Sequence, residues 1–239
     1  MVSGRVDLQE LEKAIEANSR PGDLWILPEV FNTGWNVNTG SPDIDGGLCH
    51  GFMRRMSGRF GIVICGSYYE KLSDGRFSNT FRIVSEAGGI DAAGGKRHMF
   101  GDFESQHVAP GGMLSFNIGG IRFRAVVCYD LRFPVWCRNT KPEPYDALIC
   151  VSQWPLKRSA DKHLLLSARA MENVAYAINA NGIGDSAVYL PDGGKALGVD
   201  NGRQLAFYDL DIDLLKDIRK RRRYLLDADD FEIKFFTEI

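Results

Sequence analysis

The stretch FRAVVCYDLRFP, residues 123–134, joins a buried-strand pattern to a polar turn. The apolar run up to Val127 predicts a strand that leads into Cys128, and Pro134 is well placed as the first residue of a helix. A strand, a thiol, a turn and a helix in this order resemble a nucleophile elbow, whose backbone N–H groups can bind an oxyanion. Because cysteine is also among the most often buried residue types, a core position for Cys128 is the alternative.

Strand and helix patterns alternate on both sides of this stretch. Apolar residues at helical spacing predict helices at 8–15, 50–59 and 159–173, whereas short apolar runs predict strands at 23–29, 61–69, 79–85, 145–153, 175–181 and 204–210 and a hairpin within 113–130. Strands that alternate with helices and hairpins predict an α/β layered fold in which helices cover the sheets. No Pro/Ser-rich linker divides the chain, so we expect one domain over residues 1–239.

The composition excludes several classes of protein. The chain has 239 residues, of which 44% are hydrophobic and 25% charged, and a formal net charge of −2. These are globular proportions with no general attraction to nucleic acid or to a membrane surface. No apolar run is long enough to span a membrane, and the first ten residues do not resemble a signal peptide.

The cysteines and histidines do not form a metal-binding pattern. The five cysteines are scattered with no CxxC pair, and the four histidines show no HxxxH spacing. We therefore expect no metal site. Free thiols in a chain without a signal peptide favour a reducing, cytoplasmic location.

The basic run RKRRR at 219–223 has two interpretations, a nucleic-acid patch or a helix end. Acidic residues at 209, 211 and 213 begin the predicted helix and the basic run closes it, which matches the helix dipole. Acidic residues follow at once and cancel the local field. We therefore predict a solvated helix end or a subunit contact.

Glu29 and Lys96 are further candidates for chemistry. Glu29 ends the apolar run DLWILPE, where it is either a solvent-facing strand end or a partly buried general acid and base. Lys96 lies in GGKRHMFGDFES, residues 94–105, and is either a surface lysine or a buried cation that stabilises an oxyanion. Neither residue is specific on its own.

Their contexts together resemble a known family. LPEVF at 27–31, KRHMF at 96–100 and CYDLRFP at 128–134 occur in the order of the Glu–Lys–Cys triad of the nitrilase superfamily, the carbon–nitrogen hydrolases. The resemblance continues through WP at 154–155, ARAMEN at 168–173 and INANGIG at 178–184. The segments CYDLRFPVW, KRHMF and DADDFEI are most similar to those of the omega-amidase branch, which acts on the ω-amides of α-keto acids.

The resemblance implies a four-layer α-β-β-α sandwich that dimerises through helices and uses no cofactor. It also implies that Cys128 is the nucleophile, Glu29 the general base and acid, and Lys96 the oxyanion stabiliser. It further implies that Glu104 is a supporting glutamate and that a backbone N–H at Tyr129 binds the oxyanion. Arg132 would bind the carboxylate of the substrate, and Trp154 would form a wall of the pocket. Structural alternatives are a salt bridge of Glu104 near Arg97 or a loop cap, an ion pair of Arg132 with Asp130, and simple packing of Trp154. Arg169 and Glu172 are interpreted as a structural helix pair.

The implied reaction is hydrolysis of the terminal amide of a small carboxylate-bearing amide, of the 2-oxoglutaramate or 2-oxosuccinamate type. It proceeds through a cysteine thioester and releases ammonia. Nitriles and N-carbamoyl compounds are alternative substrates because the same triad serves them. Two other hypotheses are a catalytically inactive binding scaffold and a Cys–His hydrolase that uses His98 or His163.

The sequence departs from the family pattern at two places. A helix pattern begins almost at once, where the family first has a buried strand, and the segment 182–192 is shorter than the usual loop. A missing strand would leave the sheet incomplete.

Overall fold

The computed structural model describes residues 6–35, 46–200 and 205–231. Its helices are α1 (Leu8–Asn18), α2 (Gly47–Phe60), α3 (Gly101–His107), α4 (Pro134–Cys137), α5 (Ser159–Asn173), α6 (Ile212–Arg221) and α7 (Tyr224–Asp227). Its strands are β1 (Leu24–Ile26), β2 (Val63–Lys71), β3 (Phe77–Ser85), β4 (Ile90–Gly95), β5 (Leu114–Ile118), β6 (Ile121–Val127), β7 (Ala147–Ser152), β8 (Tyr176–Asn181), β9 (Ser186–Tyr189) and β10 (Lys195–Val199). Two 3₁₀ turns span Cys128–Arg132 and Leu156–Arg158.

The strands form two sheets. The first has the order β1-β2-β3-β4, with β1 and β2 parallel and the other pairs antiparallel. The second has the order β10-β9-β8-β7-β6-β5, in which β6, β7 and β8 are parallel. The carboxyl ends of parallel strands meet at one edge, so Cys128 after β6 and Gln153 after β7 lie at the same edge.

The two sheets pack against each other and helices cover their outer faces. Val63 and Phe81 of the first sheet share a core with Phe123 of the second. The alternate residues Ile64 and Val84 face the other way and pack with α1 and α2. Buried residues of α5 and α6 cover the outer face of the second sheet. The predicted four-layer α-β-β-α sandwich is therefore confirmed.

A tight turn fixes the position of the strand that leads to Cys128. Gly119 and Gly120 join β5 to β6 with φ angles of 58° and 84°. Positive φ at both central residues is the pattern of a type I′ hairpin turn, which glycine adopts without strain. The turn pairs Ile118 with Ile121 and sets the register of β6.

The basic run closes a helix, as predicted. The Asp211 side chain accepts a hydrogen bond from the Leu214 N–H at the start of α6, and the last turn is basic. Arg219 also pairs with Asp146 at 2.7 Å and donates to the Val174 carbonyl at 3.0 Å. These contacts attach α6 to the second sheet.

Most sequence-predicted elements are confirmed, with ends shifted by a few residues. The strand predicted at 204–210 is wrong over its described part, because residues 205–210 have no ladder partner. There Leu205 and Leu210 pack into the two main cores, whereas Phe207 and Tyr208 are exposed. The leucines that anchor this segment to the cores thus give its sequence an apolar pattern that resembles a strand. Three strands were missed, β4, β9 and β10, which are short or rich in glycine and alanine.

The two departures from the family pattern have different outcomes. Residues 1–5, where an initial strand would begin, lie outside the described residues. The short segment 182–192 contains β9, which pairs with β8 and with β10 and so extends the second sheet.

Among the described residues, none of the helices has the length and apolarity needed to cross a membrane.

Candidate active site

Three buried charged side chains meet between the two sheets. The Lys96 Nζ lies 2.8 Å from Glu29 Oε1 and 2.8 Å from a carboxylate oxygen of Glu104. All three residues are fully buried. Because a buried charge is tolerated only when it is paired and hydrogen-bonded, this arrangement excludes the solvent-facing alternatives for Glu29 and Lys96.

The backbone around Glu29 is bent to aim its carboxylate inward. The next residue, Val30, has a φ of 39°, which is rare and strained for a β-branched side chain. The Val30 N–H donates to Ser67 Oγ at 3.0 Å, which holds this turn in place. The Glu29 carboxylate also accepts from Asn79 Nδ2 at 2.9 Å and from the Gln153 N–H at 2.9 Å.

Lys96 follows β4 at a point where two backbone segments nearly touch. The Gly111 N–H donates to the Lys96 carbonyl at 2.7 Å. A Cβ on Gly111 would lie 2.3 Å from the Gly95 Cα, so the segments could not approach as they do with a side chain there. This contact holds the backbone that carries the ammonium.

Glu104 connects Lys96 to the loop before α3. Both carboxylate oxygens lie 2.8 Å from the Lys96 Nζ, and Oε2 also accepts from the Phe100 N–H at 2.7 Å. The loop-cap alternative is thus part of its role, and its ion-pair partner here is Lys96. The Trp35 ring centroid lies 5.4 Å from the Lys96 ammonium and covers it.

Cys128 lies at the predicted strand-to-turn junction. Its φ is 46°, in the left-handed region, and it begins a 3₁₀ turn that is followed by Pro134 at the start of α4. All five cysteines are buried, but Cys128 keeps 7% exposure whereas the other four have 0%. Strained residues that the surroundings hold in place are typical of functional sites.

Asp130 organises this turn from within. Its carboxylate accepts from the N–H groups of Val127 at 3.1 Å and His98 at 2.9 Å, and from the N–H of Arg97. It also contacts His98 Nδ1 at 2.8 Å. Asp130 therefore ties the cysteine turn to the Lys96 loop, and its side chain is not the ion-pair partner of Arg132 that one alternative assumed.

The pKa values of the central groups reflect burial and mutual charge. Burial and the Glu29 charge raise the pKa of the Cys128 thiol well above its usual range, whereas Lys96 and the Gln153 backbone oppose this shift. Burial and the charge of Glu29 also raise the pKa of Glu104, against the lowering effect of Lys96. Burial lowers the pKa of Lys96, but its carboxylate neighbours outweigh burial and the pKa is raised well above its usual range. The carboxylate charges thus raise the pKa of both Cys128 and Lys96, and the Lys96 charge opposes the rise for the thiol.

Arg132 and Trp154 lie together at the edge of the site. The Arg132 Cζ is 4.8 Å from the Trp154 ring centroid, and its Nη2 lies 3.0 Å from Asp161 Oδ2. Trp154 is buried and is fixed by its Nε1–H, which donates to the Arg158 carbonyl at 2.9 Å. Trp154 thus packs at the end of β7 and also contacts Arg132.

Aromatic rings line the same edge. The Phe100 ring lies 5.3 Å from Tyr129 and 5.5 Å from Trp35, and Tyr129 lies 5.3 Å from Phe133. We call Trp35, Phe100, Tyr129, Phe133 and Trp154 the aromatic rim.

The two histidines of the Cys–His hypothesis have other partners. The His98 ring stacks on Phe133 at 3.5 Å and contacts Asp130. His163 contacts Asp185 and accepts or donates a hydrogen bond at 2.8 Å with Tyr189. These contacts give no support to a Cys–His pair.

Sequence reasoning missed several supporting residues. Glu29 accepts hydrogen bonds from Asn79 of the first sheet and from the Gln153 N–H of the second, and Asp130 entered only as an alternative partner of Arg132. The sequence held one signal for Gln153. It ends the predicted strand at 145–153, and this strand ends at the same sheet edge as the strand before Cys128. Arg169 pairs with Glu172 at 2.9 Å as predicted, and its Nε also donates to the Leu131 carbonyl of the cysteine turn at 3.2 Å.

No group of three or more His, Cys, Asp or Glu side chains within residues 6–35, 46–200 and 205–231 is placed to hold a metal ion.

Comparison with known families decides the class of the protein. The family described as carbon-nitrogen hydrolase matches residues 6–220 of the chain. The chain belongs to the carbon–nitrogen hydrolase family. It is an enzyme of the nitrilase superfamily, and this membership argues against the inactive-scaffold hypothesis.

Two curated relatives of this carbon–nitrogen hydrolase are amidases. The omega-amidase YafV of Escherichia coli strain K12 is 29% identical over 246 residues, which cover 97% of this chain and 94% of that protein. The 2-oxoglutaramate amidase of Bacillus subtilis strain 168 is 25% identical over 227 residues, which cover 90% of this chain and 87% of that protein. The enzyme is therefore an amidohydrolase of this superfamily.

Solved structures agree with the fold. XC1258 from Xanthomonas campestris, a CN-hydrolase superfamily protein with an arsenic adduct in its active site, has a TM-score of 0.84 and 28% identity, and the match covers 95% of this chain and 92% of that one. Nit3 of Saccharomyces cerevisiae has a TM-score of 0.75 at 22% identity, with 90% of this chain and 85% of that one covered. The second likeness concerns the fold alone.

Proposed function

We propose that this enzyme hydrolyses the terminal amide of small carboxylate-bearing amides, of the 2-oxoglutaramate or 2-oxosuccinamate type, through a cysteine thioester. The observation that carries the proposal is the buried Lys96 ammonium, which lies 2.8 Å from Glu29 Oε1 and whose charge opposes the rise of the Cys128 pKa. The names of the amidase relatives support the substrate class.

The first half of the proposed reaction forms the thioester. Glu29 takes the proton of the Cys128 thiol as the sulfur attacks the amide carbonyl carbon. Lys96 and the Tyr129 N–H bind the oxyanion, because the first amides of a turn have no acceptor within it. The protonated Glu29 then gives its proton to the leaving nitrogen, the C–N bond breaks and ammonia departs.

The second half regenerates the enzyme. Glu29 removes a proton from water, whose oxygen attacks the thioester carbonyl. The C–S bond breaks, the acid product leaves and the proton returns to the sulfur. In this proposal Glu104 keeps Lys96 charged and in place, since its oxygen lies 2.8 Å from the ammonium.

A panel of substrates tests the proposal. Ammonia release is measured with 2-oxoglutaramate, 2-oxosuccinamate, neutral amides of similar length, simple nitriles and N-carbamoyl amines. We expect the highest kcat/KM for the two keto-acid amides. A higher kcat/KM for a nitrile or an N-carbamoyl compound would contradict the proposed substrate class while leaving the Cys128 chemistry in place.

Selective alkylation tests the nucleophile. Iodoacetamide is expected to label Cys128 of the folded enzyme before Cys49, Cys65, Cys137 and Cys150, because Cys128 alone of the five keeps any exposure. Burial raises the pKa of Cys137 to about 12, which further protects that thiol. Peptide mapping after partial labelling measures the order. Equal labelling of two or more cysteines would contradict the assignment of Cys128.

Arg132 is proposed to bind the free carboxylate of the substrate. Its side chain is 32% exposed, lies beside Trp154 and begins one turn past Cys128. Arg132→Ala should cost about 1.5–3 kcal/mol, or about tenfold to a hundredfold in kcat/KM, for 2-oxoglutaramate. The loss should be much smaller for an uncharged amide of similar length, and Arg132→Lys should restore activity only in part.

Asp161→Asn is the matched control for Arg132. It removes the resting partner of Arg132, at 3.0 Å, while it leaves the guanidinium in place. We expect the KM for 2-oxoglutaramate to stay level or fall. If Arg132→Ala reduces kcat/KM equally for charged and uncharged amides, Arg132 is structural.

A further inference from the structure

Arg158 places a second guanidinium on the aromatic rim. Its Cζ lies 5.3 Å from the centroid of the Phe100 ring. The residue is exposed, and no carboxylate in the described parts of the chain lies within ion-pair distance of it. A cation over a phenylalanine ring at an exposed position is held only weakly, so an anion can displace it.

The place of Arg158 connects it to the reacting groups. Phe100 contacts Tyr129, the residue after Cys128, and Trp35, which covers the Lys96 ammonium. The N–H of Phe100 is bound by Glu104 at 2.7 Å. The ring under Arg158 is thus fixed to the loop that carries Lys96.

Arg158 is also coupled to the Arg132 side of the rim. Its carbonyl accepts the Trp154 Nε1–H at 2.9 Å, and the Trp154 ring carries Arg132 at 4.8 Å. The two guanidinium groups therefore lie at two places on one aromatic rim. Trp154 links them through its ring and its N–H.

The two arginines differ in whether a carboxylate neutralises their charge in the structure. Arg132 is neutralised by Asp161 at 3.0 Å, so that pair adds no net charge to the rim. Arg158 has no such partner among the described residues and supplies the uncompensated positive charge. A free carboxylate next to a keto group offers three acceptor oxygens, whereas one bidentate contact with an arginine engages only two of them.

We propose that Arg158 is a second specificity-determining residue. Its guanidinium moves off the Phe100 ring and, together with Arg132, binds the carboxylate and keto oxygens of an α-keto acid amide. This inference rests on the proposed function. In this proposal the positive charge of Arg158 attracts the anion. Arg132 contacts the anion only after the substrate carboxylate replaces Asp161 as its partner.

The experiment compares Arg158→Gln with Lys157→Gln. Lys157 is the exposed neighbour in the same 3₁₀ turn, so both variants remove one positive charge from one short segment. The kcat/KM is measured for 2-oxoglutaramate and for an uncharged amide of similar length, each at low and at high salt. Thermal unfolding of both variants checks that the fold is retained.

We expect Arg158→Gln to lower kcat/KM for 2-oxoglutaramate by about tenfold to a hundredfold, mainly through KM. The uncharged amide should be little affected, and the salt dependence for the charged amide should weaken because screening acts on the lost attraction. Lys157→Gln should leave the ratio between the two substrates unchanged.

Three results would overturn the inference, and they separate it from the proposed function. If the unmodified enzyme prefers the charged amide and Arg158→Gln keeps that preference, Arg158 has no such role while the proposed function stands. An equal reduction for both amides would make Arg158 structural. An unmodified enzyme with no preference for the charged amide would refute the proposed function, and this inference with it.

Discussion

Lys96→Met is expected to destabilise the enzyme by about 3–5 kcal/mol at neutral pH and to reduce kcat by about 10²–10³-fold. The ammonium lies 2.8 Å from Glu29 and 2.8 Å from Glu104, and all three groups are buried. Methionine fills a similar volume but leaves two carboxylates facing each other without a cation. Urea unfolding measures the first effect, and ammonia release from 2-oxoglutaramate measures the second.

The destabilisation should depend on pH with a definite sign. The pKa of Glu104 is already raised in the intact enzyme by burial and by Glu29, and Lys96 opposes that rise. Removal of Lys96 raises this pKa further, so the folded variant holds a proton that the unfolded chain releases. Its free energy of unfolding should therefore increase as the pH falls from about 8 toward the ordinary glutamate pKa.

A double variant separates the charge effect from the loss of chemistry. Lys96→Met combined with Glu104→Gln removes one of the two opposing carboxylates, so most of the stability at about pH 8 should return while kcat stays low. If the single variant is as stable as the unmodified enzyme at that pH, the two carboxylates are not both charged in the folded protein.

The sequence predicted the parts of the site that depend on local order. Cys128 was placed at a strand-to-turn junction by the pattern of FRAVVCYDLRFP alone, and Pro134 begins α4 as expected. The roles of Glu29 and Lys96 followed only from the resemblance, because neither residue has a local pattern that distinguishes a buried charge from an exposed one. The two lie 67 positions apart in sequence and meet only because β1 and β4 join the same sheet.

The sequence did not predict the contacts that hold these groups. Asp130 binds N–H groups 32 and 33 positions away, and Arg132 pairs with Asp161 29 positions away. Such partners are chosen by tertiary packing, which no periodicity encodes. The left-handed backbone at Val30 was equally hidden, since valine disfavours that conformation and the surroundings impose it.

Glu29→Gln is expected to reduce ammonia release by about 10²–10⁴-fold while alkylation of Cys128 continues at an equal or higher rate. The Glu29 charge raises the pKa of the Cys128 thiol, and Lys96 lowers it. A neutral glutamine beside the remaining ammonium therefore shifts the pKa of this thiol down, which favours the thiolate that iodoacetamide attacks. Hydrolysis fails all the same, because neither the leaving ammonia nor the water has a proton-transfer partner.

The glutamine variant needs a stability check. Both Glu29 oxygens accept hydrogen bonds, Oε1 from Lys96 and Asn79 and Oε2 from the Gln153 N–H. An amide NH₂ in either place meets a donor, which should cost about 1–3 kcal/mol of folding free energy. Urea unfolding must show that the variant is folded under the assay conditions.

Glu104→Gln is the matched control, since it neutralises the other carboxylate that contacts Lys96. Glu104 lies on α3 and binds the Phe100 N–H at 2.7 Å, and it is not among the main groups that shift the pKa of Cys128. Its substitution should reduce turnover less than that of Glu29 and leave the pH profile of Cys128 alkylation nearly unchanged. If Glu29→Gln slows alkylation and turnover in parallel, ionisation of the thiol itself requires the Glu29 carboxylate, and electrostatic stabilisation by Lys96 alone does not activate Cys128.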